Sequence, residues 1–358
     1  MLKLLTPICA ALWLSGCVIH ISPDSANIQE HKALAMSTQG VSKFVSETSS
    51  GNVKVIGVEG LKEITVKADI RTYNHDKPYT LTLEKQGVHA KLIAKHNAKM
   101  GFYSGNSPRI NLTIQVPANL ALDLEDGSGD IEIKGSKADI KVDDNSGNII
   151  ITGGNNLVID DGSGNIEITQ VTGDMVIEDD SGNLSIDGGN KLVVEDGSGN
   201  LSIANLSGSL KVKDASGNLD ITEIKGHVDV EDGSGNLTIT NLSSSLEVKD
   251  DSGNLTIQSI KGDVTVDDGS GDLNISHLAR SLIVTDDSGE LSVKDIQGDV
   301  NINDGSGNLS VTQVVGVVTI EDASGNIDVN NTGGLVISES GSGSLKMHDI
   351  NGKVDVKN

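Results

Sequence analysis

The chain is 358 residues long, carries a formal net charge of −24 and has aromatic residues at 2%, the last of them Tyr103. Such an acidic chain repels nucleic acid and anionic lipid. Beyond residue 103 it has no large ring to fill a deep core, so the fold there must have a thin one. Charge is also divided along its length: residues 18–109 hold twelve Lys/Arg against eight Asp/Glu, and residues 110–358 hold fourteen against forty-three. The distal field either attracts cations and basic partners or simply keeps a long β structure soluble.

Residues 1–16 read as a lipoprotein signal peptide. Lys3 gives a minimal positive start, and Leu4 to Leu14 is an apolar run too short to span a bilayer as a helix. The run ends in Leu14-Ser15-Gly16-Cys17, which resembles the bacterial lipobox, where the cysteine thiol is acylated and becomes the new N-terminus. Cys17 is therefore the expected lipidation site, and the membrane an expected partner through that lipid. In such lipoproteins of Gram-negative cells an aspartate after the cysteine favours inner-membrane retention. Val18 stands there instead, so the expected address is the cell outer membrane, facing the periplasm or the surface. Cys9 lies in the segment that would be removed, which leaves no disulfide. Residues 17–47 are polar without a sustained apolar period and suit a lipidated tether.

Residues 48–127 look like diverged N-terminal coils forming a cap. Ser50-Gly51-Asn52-Val53-Lys54-Val55 anticipates the signature of the later repeats, and alternating runs recur at Glu63–Ile70, Tyr79–Leu83 and Ile110–Val116. A diverged end is expected where a stack must cover its open strand edges.

Residues 128–358 form a regular array of thirteen units, each opening on Ser-Gly followed most often by Asn and recurring about every eighteen residues from Ser128 to Ser342. In the unit from Ser234 to Asp251, Leu237 and Ile239 alternate with polar residues, as do Leu246 and Val248, and Leu242 lies between them. Each pair marks a short half-buried strand, and the Ser, Gly, Asn and Asp between them mark turns. The expected fold is all-β: a β-solenoid, or parallel β-helix, of about eighteen-residue two-strand coils, thirteen of which would make a rod of roughly 60 Å. Two units are one residue short and carry Gly153-Gly154-Asn155 and Gly188-Gly189-Asn190, which places the deletion in a turn. The residue before the serine is glycine in every second unit, as at Gly197, Gly233 and Gly269. That alternation leaves a thirty-six-residue coil open, although the apolar columns already repeat at eighteen.

Stacked units turn each repeated residue into a column. The asparagines, such as Asn200, Asn218 and Asn236, can hydrogen-bond along theirs. Two residues before each serine an aspartate recurs, including Asp196, Asp214, Asp232, Asp250 and Asp268. A short carboxylate there can accept the backbone N–H two residues on and close an Asx turn. A column of like charges also repels itself, which makes these five the weak candidates for diffuse calcium binding, calcium being a hard ion that takes carboxylates. The calcium-binding nonapeptide is not matched, since Asp232-Gly233-Ser234-Gly235-Asn236-Leu237 lacks its second acidic position. No catalytic or cofactor-binding residue is expected. Carboxylates recur unit after unit without the local break in symmetry a catalytic site brings, and His227, His277 and His348 stand apart at no metal-ligand spacing.

Ser50-Gly51-Asn52-Val53-Lys54-Val55, the run Val116-Pro117-Ala118-Asn119-Leu120 leading into Gly127-Ser128-Gly129-Asp130-Ile131-Glu132-Ile133, and Lys261-Gly262-Asp263-Val264 together resemble the bacterial adhesin-like β-strand-repeat family of unknown function, related to autotransporter adhesin head domains. The resemblance covers about residues 48–358 and implies a β-solenoid on the envelope. The expected function is a non-enzymatic, envelope-anchored lipoprotein with a structural, adhesive or scaffold role and an unidentified protein or matrix partner. A periplasmic component that docks a specific protein, or a polysaccharide-active β-helix enzyme, are the alternatives.

Overall fold

The computed structural model describes residues 28–72, 78–97 and 107–357, and every regular element among them is a β-strand. In the array each coil supplies two strands, and each strand pairs in parallel with its equivalent seventeen or eighteen residues away. Leu219–Thr222 pairs with Leu237–Leu242, and Val228–Asp232 with Leu246–Asp250. One coil is therefore about eighteen residues. The strands form two facing stacks, joined near the C-terminal end by Leu309–Asp322 and Ile327–Glu339, which run through the corner and belong to both.

The core lies between the stacks, one side chain thick on each side. In one coil Leu237, Ile239, Leu242, Leu246 and Val248 point inward and are at most 2% exposed. Burying an aliphatic side chain of this kind contributes about 1.5–3 kcal/mol, so the rod gains stability by repetition rather than by depth. Leu242 sits at the corner after Asn241, whose φ of 59° is left-handed; Ser259, His277 and Asp295 take the same conformation in the coils that follow. In the two short coils Gly154 and Gly189 replace the corner aliphatic, and the terminal methyl of Met175 fills the space beside Gly189. Flanking strands keep their register, as between Met175–Asp179 and Leu192–Asp196.

The N-terminal end departs from a simple succession of coils. Its strands are β1 (Ile28–Ser37), β2 (Lys43–Thr48), β3 (Val53–Val58), β4 (Glu63–Thr72), β5 (Tyr79–Gln86), β6 (His89–His96), β7 (Arg109–Pro117), β8 (Ala121–Asp126) and β9 (Ile131–Ser136). The rung made by β2 and β3 is inserted between the later rung β6–β7 and the rung β8–β9: β2 pairs in parallel with both β6 and β8, and β3 with both β7 and β9. Outside these lie antiparallel strands, β5 on β6 and β4 on β7, with β1 beyond β4. The cap thus closes the stack with reversed strands, and β1, mostly exposed and carrying His31 and Lys32, is a polar edge ill suited to further pairing. Residues 28–47, expected within a tether, are largely β1 and β2, and β2 buries Phe44 completely. With these added rungs the stack is roughly 70 Å long at about 4.8 Å per rung. Cys17 and the signal sequence lie outside the described residues.

Glycine is obligatory in the Ser-Gly-Asn turn. Gly235 has φ +139°, and a Cβ there would stand 1.5 Å from the carbonyl oxygen of Gly217 in the preceding coil. The same approach recurs at Gly253 on Gly235. Gly235→Ala is therefore expected to cost more than about 3 kcal/mol or to prevent folding, measured by chemical denaturation. Ser252→Ala, which removes a 3.2 Å bond from the hydroxyl to Gly233 O, is expected to cost about 1 kcal/mol.

Candidate functional site

The turns that close each coil hold the array's polar chemistry in parallel columns. From Asn165 to Asn236 in the asparagine column each amide donates to the one before: Asn165 Nδ2 to Asn148 Oδ1 at 3.1 Å, Asn183 to Asn165 at 3.0 Å, and Asn218 to Asn200 at 3.0 Å. The backbone N–H of Asn165 shares the same Oδ1 at 3.1 Å. This ladder is structural, because its donors and acceptors are used along the axis. It changes at Asp272 and Glu290, where backbone N–H groups still donate to Asn254 Oδ1 and Asp272 Oδ1 at 3.0 and 3.3 Å.

The aspartate column is of a different kind. Asp196, Asp214, Asp232, Asp250 and Asp268 stand in direct parallel register, each opposite the next. Seven more extend the line, from Asp126 to Asp322, and all twelve are 0–4% exposed. The sequence reading placed them in a turn, in a column that cations could relieve, whereas the structure makes them the last inward residue of a strand. Val228, Val230 and Asp232 share one face, and the pattern repeats at Leu246, Val248 and Asp250. The signal was present in the alternation itself, since an aspartate two residues beyond an inward valine shares its face.

The Asx turn forms in six rungs: the backbone N–H of Ser146, Ser181, Ser198, Ser216, Ser252 and Ser288 donates to Oδ1 of the aspartate two before it, at 3.0–3.2 Å. In five others, Asp161, Asp232, Asp268, Asp304 and Asp322, neither oxygen makes a well-formed hydrogen bond, although in all but Asp268 the backbone N–H of the serine two residues on lies near enough to favour the charged form. Asp126 meets the hydroxyl of Thr48, which occupies the column's place in β2. Every one of the twelve keeps at least one buried carboxyl oxygen without a partner.

Burial is the first cause of a raised pKa throughout the column, with repulsion from neighbouring carboxylates adding to it in many rungs. Asp196, Asp232, Asp268 and Asp304 are pushed up to about 7, and Asp161, Asp179 and Asp286 to about 6. Alongside runs a groove of about 460 Å³, bordered by Glu178, Asp180, Glu195, Glu231, Lys213 and Lys249. Among the described residues no group of three or more His, Cys, Asp or Glu side chains is arranged to hold a metal ion. Two of the histidines that stand apart in sequence meet partners on the next rung: His227 Nδ1 lies 2.8 Å from Ser245 Oγ, and His277 Nε2 lies 3.7 Å from Asp295.

These shifts fix the sign of a pH effect. Below about pH 4 the aspartates hold their protons in both the folded and the unfolded chain, and the array has its full stability. From about pH 4, where the unfolded chain ionises, up to the folded pKa values of about 6 to 7 the folded chain keeps protons that the unfolded chain has lost, so stability falls across that range and levels off above it. Thermal melts are expected to show a higher Tm at pH 5 than at pH 8, by roughly 10 °C or more for a chain of this size. A Tm that rises from pH 5 to pH 8 would contradict the burial of the column.

Comparison with known proteins places this geometry in a wider group. Residues 72–259 match the Toastrack DUF4097 family. Among solved structures, a candidate cell adhesion protein from Clostridium sporogenes is 14% identical, with 69% of this chain and 99% of that one covered and a TM-score of 0.23. A candidate adhesin from Parabacteroides distasonis is 11% identical over 93% of this chain and 99% of that one, and a candidate lipid-binding protein from the same organism 16% identical over 93% and 98%, each with a TM-score of 0.23. No curated protein matches. With the family match spanning more than half of its length, the chain belongs to the Toastrack DUF4097 family.

Proposed function

We propose that the protein is a non-enzymatic structural or adhesive rod, held at the cell envelope through a lipid on Cys17. The observation that carries this reading is the continuous parallel pairing of the two stacks, from the β6–β7 rung to the pairings of Leu345–Ile350 and Val354–Val356, interrupted only by local register shifts such as those at Thr152/Gly153 and Val314/Val317. Such a stack presents the same turn and the same outer faces rung after rung, a surface that engages a partner along its length rather than at a point. The array's acidity selects basic protein or matrix surfaces for that partner. The lipobox at Leu14-Ser15-Gly16-Cys17 supplies the anchor, and β1 begins eleven residues beyond Cys17.

Two measurements test the reading. Cys17→Ser is expected to move the protein from the membrane fraction to the soluble fraction of lysed cells; an unchanged distribution would refute the anchor. Protease added to intact cells is expected to degrade the rod, as an adhesive surface role requires. Full protection on intact cells, with digestion after the outer membrane is opened, would replace that role with a periplasmic scaffold docking a partner near the membrane.

A further inference from the structure

The aspartate column is not used by the anchoring or adhesive role, and its chemistry is its own. Twelve carboxyl groups at most 4% exposed lie in one line at a rung spacing of about 4.8 Å, each with an oxygen that no donor reaches. An ionised carboxylate can accept hydrogen bonds but cannot donate, so a fully ionised column would leave every one of those oxygens unsatisfied and every charge unpaired. One proton shared between two neighbouring rungs satisfies two orphaned oxygens and removes one charge.

The structure also distinguishes the rungs. In the stretch from Asp214 to Asp304, Asp214, Asp250 and Asp286 accept the backbone N–H of Ser216, Ser252 and Ser288, which favours their ionised form. Asp232, Asp268 and Asp304 have neither oxygen bonded. The difference follows the residue after the aspartate. Gly233, Gly269 and Gly305 pass so close over the preceding coil that a Cβ would stand 2.5–2.7 Å from the carbonyl oxygens of Ala215, Asp251 and Asp287. Within this stretch the glycine alternation thus separates two kinds of turn; outside it the match breaks at Asp196, which precedes Gly197 yet accepts the Ser198 N–H, and at Asp322, which precedes Ala323 and has neither oxygen bonded.

We propose that this column is a proton-binding ladder: at neutral pH Asp232, Asp268 and Asp304 are neutral acids, each donating its proton along the axis to the carboxylate of a neighbouring rung, Asp214, Asp250 or Asp286. No cation competes for the role. Lys213 and Lys249 pair on the outer face with Glu231 and Asp251, at 3.7 and 3.2 Å. The other charged side chains beside this stretch also lie on the outer face: Lys211 and Asp229, 2.7 Å apart, with Glu247, Asp267, Asp287 and Glu321. The strands facing the column from the other stack present aliphatic side chains inward, Leu237, Ile239, Leu255 and Ile257 among them.

Infrared spectroscopy of the full folded chain at pH 7 tests the ladder directly. The proposal expects a protonated-carboxyl carbonyl band at a pH where exposed aspartates show none. The triple variant Asp232→Asn, Asp268→Asn, Asp304→Asn places an amide donor where each acid donated; it is expected to weaken that band and to flatten the fall in Tm between pH 5 and pH 8. The triple variant Asp214→Asn, Asp250→Asn, Asp286→Asn is expected to leave the band in place. Absence of the band in the wild-type chain would overturn the proposal, and that result stands whether or not either variant folds. Equal loss of the band in both variants would overturn the assignment of protons to the glycine rungs. A wild-type chain that lacks the band, gains Tm in millimolar calcium and loses it to a chelator would make the column a cation line instead.

Discussion

Everything in this molecule follows from axial stacking at a fixed spacing. Because each strand pairs with its equivalent in the next coil, each side chain has its own counterpart as nearest neighbour above and below, and a choice made once is repeated along the rod. Aliphatic side chains gain from this, since like packs on like. Amides gain as well, because a carboxamide carries both donor and acceptor and closes a ladder on itself. The Ser-Gly-Asn turns follow the same rule with less tolerance: Gly217 and Gly235 approach so closely that neither can carry a side chain.

Carboxylates are the residue type that stacking punishes, and the protein stacks twelve of them in its interior. A carboxylate has acceptors alone, so its counterpart cannot satisfy it unless one of the two is protonated. The column therefore binds its own stability to proton activity in a way that an exposed acidic face, screened by water and salt, would not. The outer carboxylates supply most of the net charge, whereas the inner ones supply a titration that the fold itself feels.

Much of this architecture can be read from residues. The period, the two strands per coil and the aliphatic columns follow from Leu237, Ile239, Leu246 and Val248, because side-chain alternation is a local property. The order of rungs at the N-terminal end does not follow. Alternation at Val53–Val58 identifies a strand but not its neighbours, and nothing local says that β2 and β3 slide between β6–β7 and β8–β9. Residues 28–47 read as a tether because β1 is a polar edge strand and β2 a short one, so little apolar periodicity marks them. The aspartates' Asx turn is legible from their place two residues before a serine and forms in six rungs, whereas their burial follows only from the face that Val228 and Val230 share with Asp232.

A rod of this kind offers length and repetition, with an interior whose charge depends on its surroundings. The most direct test of that interior is the distance between facing carboxyl oxygens of Asp214, Asp232 and Asp250 in an atomic-resolution crystal structure grown at neutral pH. The account predicts one contact of about 2.5–2.7 Å, from Asp232 to either Asp214 or Asp250, the separation of a proton held between an acid and a carboxylate. Oxygens splayed beyond hydrogen-bond distance, or a cation resolved between them, would contradict it.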